Sequence, residues 1–89
     1  MHTLESQLVI IRFFKALDLL KSRRQIRGLN TFTTKYNINR WNLISLRKNP
    51  NNGTFEPSWM TFLVNDYNIS AHWLLTGDGE PINGGMILQ

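Results

Sequence analysis

TFTTKYNINRWNLISLRKN, residues Thr31 to Asn49, governs how this chain is read. With Leu29 just before it, the stretch places Phe32 and Tyr36 on one helical side; further on it carries Leu43 and Leu46 three apart, with Ile44 beside them. Apolar residues at such spacings mark amphipathic helices. Between them, Asn37 tolerates the left-handed backbone that closes a helix, and Asn39 offers the short polar oxygen that caps the next one. The stretch predicts two short helices joined by a tight turn.

The same turn is written a second time. YNIN (Tyr36–Asn39) returns as YNIS (Tyr67–Ser70). In each copy Tyr closes a helix, Asn turns the chain, Ile packs back, and Asn39 or Ser70 caps the next helix. The repeat is too short to signal duplication or a solenoid; it is the grammar of a joint and carries no chemistry itself.

Toward the N-terminus, Leu4 to about Ser22 contains no Gly or Pro and places Ile10, Phe13, Phe14, Leu17 and Leu20 on one face, with Thr3 as cap and Glu5 in the first turn. Leu4, Leu8, Ile11 and Leu19 form a second apolar line on this helix. A helix apolar on two sides is deeply buried or paired with another surface. KSRRQIRGLN comes next, basic and broken by Gly28, and Asn30 or Thr31 is the expected cap of the helix ending at Tyr36. NPNNGTFEP (49 to 57) reads as loop, with Pro57 suited to a first helical turn. SWMTFLVNDY then predicts a helix with Trp59, Phe62, Leu63 and Tyr67 inward. Ser70 caps AHWLLT, and Gly77 stops it. GEPINGGMILQ reads as irregular up to Met86, and MILQ is short enough for strand, docked tail or disorder. The expectation is an all-α chain of five helices, one domain over 1–82 and a tail over 83–89.

Charge is divided along the chain. All ten Lys and Arg residues fall within residues 1 to 48, offset only by Glu5 and Asp18, for a net +8; residues 49 to 89 hold Glu56, Asp66, Asp78 and Glu80 and no base, for a net −4. A basic half suits a polyanion, and an acidic half is not the side that approaches one. There is no cysteine, which excludes disulfides and cysteine-ligated metal. The N-terminus lacks the features of a signal peptide, and no apolar run approaches the roughly 20 residues of a membrane span. A cytoplasmic protein is expected.

The helix after Asn39 begins Arg40, Trp41, Asn42 and ends Arg47, Lys48. Arg pairs with guanine O6 and N7, Asn with adenine N6 and N7, and the major groove admits one helix. Lys35, Arg47 and Lys48 then suit phosphates, fixing register without reading sequence. Arg23, Arg24 and Arg27 flank the preceding joint as a solvated run, or contact backbone beside the groove.

Thr31 to Asn49, together with the closing NISAHWLLTGDGE (Asn68–Glu80), resembles the lambda-repressor-like (Xre/Cro-type) helix-turn-helix regulators of bacteria, phages and mobile elements, over most of residues 10 to 82. The resemblance implies a five-helix DNA-binding domain in which Thr31 to Tyr36 is the positioning helix, with Thr31 at the phosphates, and Asn37 stands at the turn where the family usually has Gly. It puts Arg40 and Trp41 at the main base-contacting positions, Asn42 and Ser45 next to the groove, and Leu43 and Leu46 in the packing. Two residues depart from the pattern: Thr33 stands where a small Ala is usual, and Trp41 replaces a smaller Ser or Gln. Trp41 either stacks on sugar or a thymine methyl or turns inward as core, and an inward or partly buried ring is the favoured expectation.

The resulting expectation is sequence-specific binding of double-stranded DNA by a small transcriptional regulator, as a homodimer because one short helix reads few bases. Leu4, Leu8 and Ile11, or the MILQ tail, are the candidate dimer contacts. The alternative is a protein-interaction module of the same fold, partner to another mobile-element or regulatory protein; structured RNA is a weaker option. Gly77 to Glu80 lacks the Lys of a phosphate loop and the ligand run of an EF-hand. His2 and His72 have no Cys or paired carboxylate nearby, and no nucleophile elbow occurs. No catalytic site, metal, cofactor or small-molecule substrate is expected.

Overall fold

The computed structural model describes residues 2–83. Its described residues form five α-helices: α1 (Leu4–Ser22), α2 (Leu29–Tyr36), α3 (Arg40–Lys48), α4 (Pro57–Tyr67) and α5 (Ala71–Thr76). The protein is all-α, with one isolated antiparallel bridge between Ile69 and Ile82. Where the sequence reads as one domain over 1–82, the chain groups into two compact units, Met1–Phe55 and Glu56–Gln89. No charged residue lies between Lys48 and Glu56, so this boundary also divides the +8 part of the chain from the −4 part.

The first unit is built on Phe13. Its ring meets Phe14, Phe32 and Phe55 edge-on, at centroid distances of 5.1, 5.7 and 5.3 Å. Edge-to-face pairs are the arrangement the ring quadrupoles favour, adding roughly 0.5–1.5 kcal/mol each to the burial itself. Ile10, Leu17 and Leu20 of α1, with Leu43 and Leu46 of α3, complete a buried apolar set. The face expected from their spacing is the face that is buried.

Local chemistry sets the helix ends. Thr3 accepts the Ser6 N–H at 3.1 Å and starts α1. At the other end Arg24 adopts φ +63°, the Arg24 N–H bonds to Lys21 O, and the Gln25 N–H bonds to Leu20 O. This is a Schellman closure with Arg in the left-handed position usually held by Gly; α1 is thus stopped before Gly28 is reached. Gly28, with no side-chain cap, precedes α2, so neither Asn30 nor Thr31 is the cap. Both lie inside the helix, and Thr31 Oγ1 instead accepts the Arg27 N–H at 3.2 Å. Thr33 is buried and satisfies its hydroxyl by donating to Asn30 O at 3.1 Å, so the residue that departs from a small Ala is accommodated by a back-bond.

In the second unit Trp59, Leu63, Ile69 and Leu74 are buried, while Phe62 and Tyr67, expected inward, are only half-buried. Pro57 takes the first turn of α4. Ser70 accepts the Trp73 N–H at 3.1 Å, and Gly77 ends α5 at φ +84°. Part of the expected irregular tail is fastened down. Ser70 N–H donates to Pro81 O at 2.7 Å, Asn83 N–H to Asn68 O at 3.0 Å, and Asn68 Nδ2 to Asn83 O at 2.7 Å. The MILQ stretch lies outside the described residues.

Candidate nucleic-acid interface

α3 begins where Asn39 Oδ1 accepts the Asn42 N–H at 2.9 Å, which separates the helix from the turn at a defined residue. Its nine residues span about 13 Å at 1.5 Å per residue. Leu43 and Leu46 are fully buried and fix which side faces in. At about 100° per residue, Arg40, Trp41, Ile44, Ser45 and Lys48 fall within about 140° of arc on the other side. Arg40, Trp41, Ser45 and Lys48 are exposed and Ile44 is half-buried. The first turn of α3 holds no acid, and its last turn holds Arg47 and Lys48.

Trp41 does not turn inward. It is 72% exposed, among the large apolar side chains that solvent reaches most, and the Arg40 guanidinium carbon lies 5.6 Å from its ring centroid. Leu43 and Leu46 already fill the inner side of this short helix, and a residue two positions before Leu43 points away from it.

Two expected contact residues are engaged elsewhere. Asn42, expected at the groove, is half-buried; its Nδ2 donates to Thr54 O at 2.6 Å and its Oδ1 accepts the Thr54 N–H at 3.0 Å. Arg47, expected at a phosphate, donates from Nη2 to both carboxylate oxygens of Asp18 at 2.7 Å and lies over the Phe14 ring. The helical angle explains both engagements: each residue lies on a flank of α3, between the outward stripe and the buried seam. Sequence spacing did not reveal their partners, because Asp18 and Thr54 are remote in the chain.

The other basic residues expected at DNA are at the surface. Arg23, Arg24 and Arg27 are exposed in the joint between α1 and α2, and Lys35 is exposed in the last turn of α2 with its ammonium 5.3 Å from the Tyr36 ring centroid. Thr31 is half-buried in the first turn of α2. Along α1, Leu4, Leu8 and Ile11 are 69%, 38% and 39% exposed, so the second apolar line is uncovered by the chain's own core.

The acidic unit carries a different feature. Met60, Thr61, Val64 and Asn65 of α4, with Ala71, Leu74 and Leu75 of α5, line an open, largely apolar groove of about 310 Å³. Leu75 stands exposed on it. Among the described residues no group of His, Asp and Glu could hold a metal ion, and no helix is long and apolar enough to cross a membrane.

Comparison with known proteins assigns nothing further: no protein-family model, curated protein or solved structure matches this chain.

Proposed function

We propose that this chain is a sequence-specific double-stranded DNA-binding protein, a small transcriptional regulator of the lambda-repressor-like helix-turn-helix kind, and not an enzyme. The observation that carries this reading is the outward side of α3, where Arg40, Trp41, Ser45 and Lys48 are exposed on a short helix without acids in a unit of net +8. α3 enters the major groove. Arg40 pairs with a guanine edge, Trp41 lays its ring on a thymine methyl or sugar, and Ser45 lies one turn later. Lys48, Lys35, Thr31 and the Arg23, Arg24 and Arg27 cluster hold phosphates. Asn42 leaves the contact set because both of its amide atoms are engaged by Thr54, and Arg47, exposed and bonded to Asp18 through Nη2 alone, stays a phosphate candidate once that pair opens. Two copies read half-sites about 34 Å apart, with Leu4, Leu8 and Ile11 as the self-contact.

Titration against duplex DNA over a range of salt tests this reading. Binding that weakens with salt on a log–log slope of about −0.9 per phosphate contact is expected, and reversing Arg23, Arg24 and Arg27 lowers the slope magnitude by about that amount for each phosphate no longer neutralised. Salt-independent binding, or none at low salt, overturns it.

The groove between α4 and α5 supports a second reading, a protein-interaction module of the same fold. An apolar groove rimmed by solvent suits a side chain of another protein. The +8 unit argues against this as the sole role.

A further inference from the structure

The carboxamide of Asn42 offers one donor–acceptor edge, and that edge is occupied. Nδ2 donates to Thr54 O and Oδ1 accepts from Thr54 N–H, at 2.6 and 3.0 Å, so both hydrogen bonds close on the backbone of a single residue in the α3–α4 loop. Reading adenine takes the same two atoms, N–H to N7 and carbonyl to N6–H. Asn42 cannot do both.

The loop is shaped for this contact. Gly53 has φ +91°, and a Cβ there would lie 3.1 Å from Asn42 Oδ1 and 3.3 Å from Leu46 Cγ, so a side chain at this position would be strained and would press on α3. On its other side the loop meets the start of α1. The His2 N–H donates to Asn51 Oδ1 at 3.2 Å, His2 Nε2 lies 3.0 Å from Gly53 O, and Gln7 Nε2 donates to His2 O at 3.1 Å. One hydrogen-bonded path therefore runs from the first turn of α1, through residues 51–54, to the first turn of α3. Arg40 and Trp41 belong to that same turn of α3.

We infer that Asn42 is a positioning residue for DNA recognition: it clamps Thr54 to α3, and so fixes the direction from which Arg40 and Trp41 enter the groove, without itself reading a base. The inference rests on the DNA-binding reading above. A recognition helix fixed before binding loses less freedom on binding, and that gain is the same for every sequence. A base reader differs, since its loss is confined to one base pair.

The test is a selection from random duplex DNA followed by titration of the selected site, for the wild type, Asn42→Ala and Gly53→Ala, with thermal melts to show that each variant is folded. Both variants are expected to bind the selected site about five- to tenfold more weakly, the scale of one net hydrogen bond. Their base preferences at every position should match the wild type. Loss of an adenine preference at one position in Asn42→Ala, with Gly53→Ala unchanged in affinity, overturns the inference. Hydrogen exchange at the Thr54 amide reports the clamp without DNA: faster exchange is expected in Asn42→Ala and unchanged exchange in Arg40→Ala. If the wild type selects no sequence while Thr54 remains protected, the DNA reading has failed and the positioning role fails with it. If Thr54 exchange is unaffected by Asn42→Ala, the clamp itself is absent.

Discussion

The joint at Tyr36–Asn39 and the joint at Tyr67–Ser70 share three residues and the same central conformation, with Asn37 at φ +55° and Asn68 at φ +59°. Their closures differ. At the first, the N–H groups of Asn37 and Ile38 both reach Thr33 O, four and five residues back, and Asn37 also reaches Thr34 O; at the second, those of Asn68 and Ile69 reach Leu63 O, five and six residues back. Ile38 is half-buried, whereas Ile69 is fully buried and bridged to Ile82. After the cap, one joint presents Arg40 and Trp41 to solvent, and the other places Ala71, Leu74 and Leu75 along an apolar groove. The turn sets how two helices meet, and the residues beyond it set what they meet.

The largest effects are expected in the cores behind the joints. Phe13→Ala removes the ring shared by three aromatic contacts and should cost about 3–5 kcal/mol, a large part of a small domain's total, read by denaturant unfolding. Ile69→Ala should cost about 2–4 kcal/mol and Ile38→Ala about 1 kcal/mol, because only the first removes fully buried methylenes. Equal costs at the two isoleucines would erase the distinction drawn between the joints.

Smaller effects probe what the joints have in common. Asn37→Ala should destabilise by about 1 kcal/mol and Asn37→Gly should be near neutral, because only Gly adopts positive φ without a Cβ penalty; Asn68→Gly should cost more than Asn37→Gly, because it also loses the Nδ2 bond to Asn83 O. Removing the caps, as Asn39→Ala or Ser70→Ala, should cost about 1 kcal/mol each in thermal melts. At the bottom of the scale, a double-mutant cycle on Asp18 and Arg47 should return about 0.2–1 kcal/mol, as for an exposed ion pair.

Local signals carried most of the fold. Helical spacing in Leu4 to Ser22, the Asn turns, the Asn39 and Ser70 caps, Pro57 and Gly77 all describe chemistry that acts within a few residues, and each is found where its type places it. What could not be read lies where the deciding partner is distant in sequence. Asn42 bonds to Thr54, Arg47 meets Asp18 through Nη2, and Trp41 faces solvent because the inner face is already filled with Leu43 and Leu46. The α2 cap failed for a local reason: Thr31 found a different donor, the Arg27 N–H, four residues before it. Gly53 offered a usable signal, since a glycine in a polar loop marks a turn, but not that it turns against α3.

The DNA-binding proposal stands or falls on whether the outward side of α3 reads sequence. Selection from random duplex DNA, run in parallel with the wild type and Arg40→Ala, decides it. An enriched motif is expected for the wild type and, for the variant, loss of preference at one or two defined base pairs, worth about 1–3 kcal/mol of discrimination each. No enriched motif, or a motif that Arg40→Ala leaves intact, would contradict it.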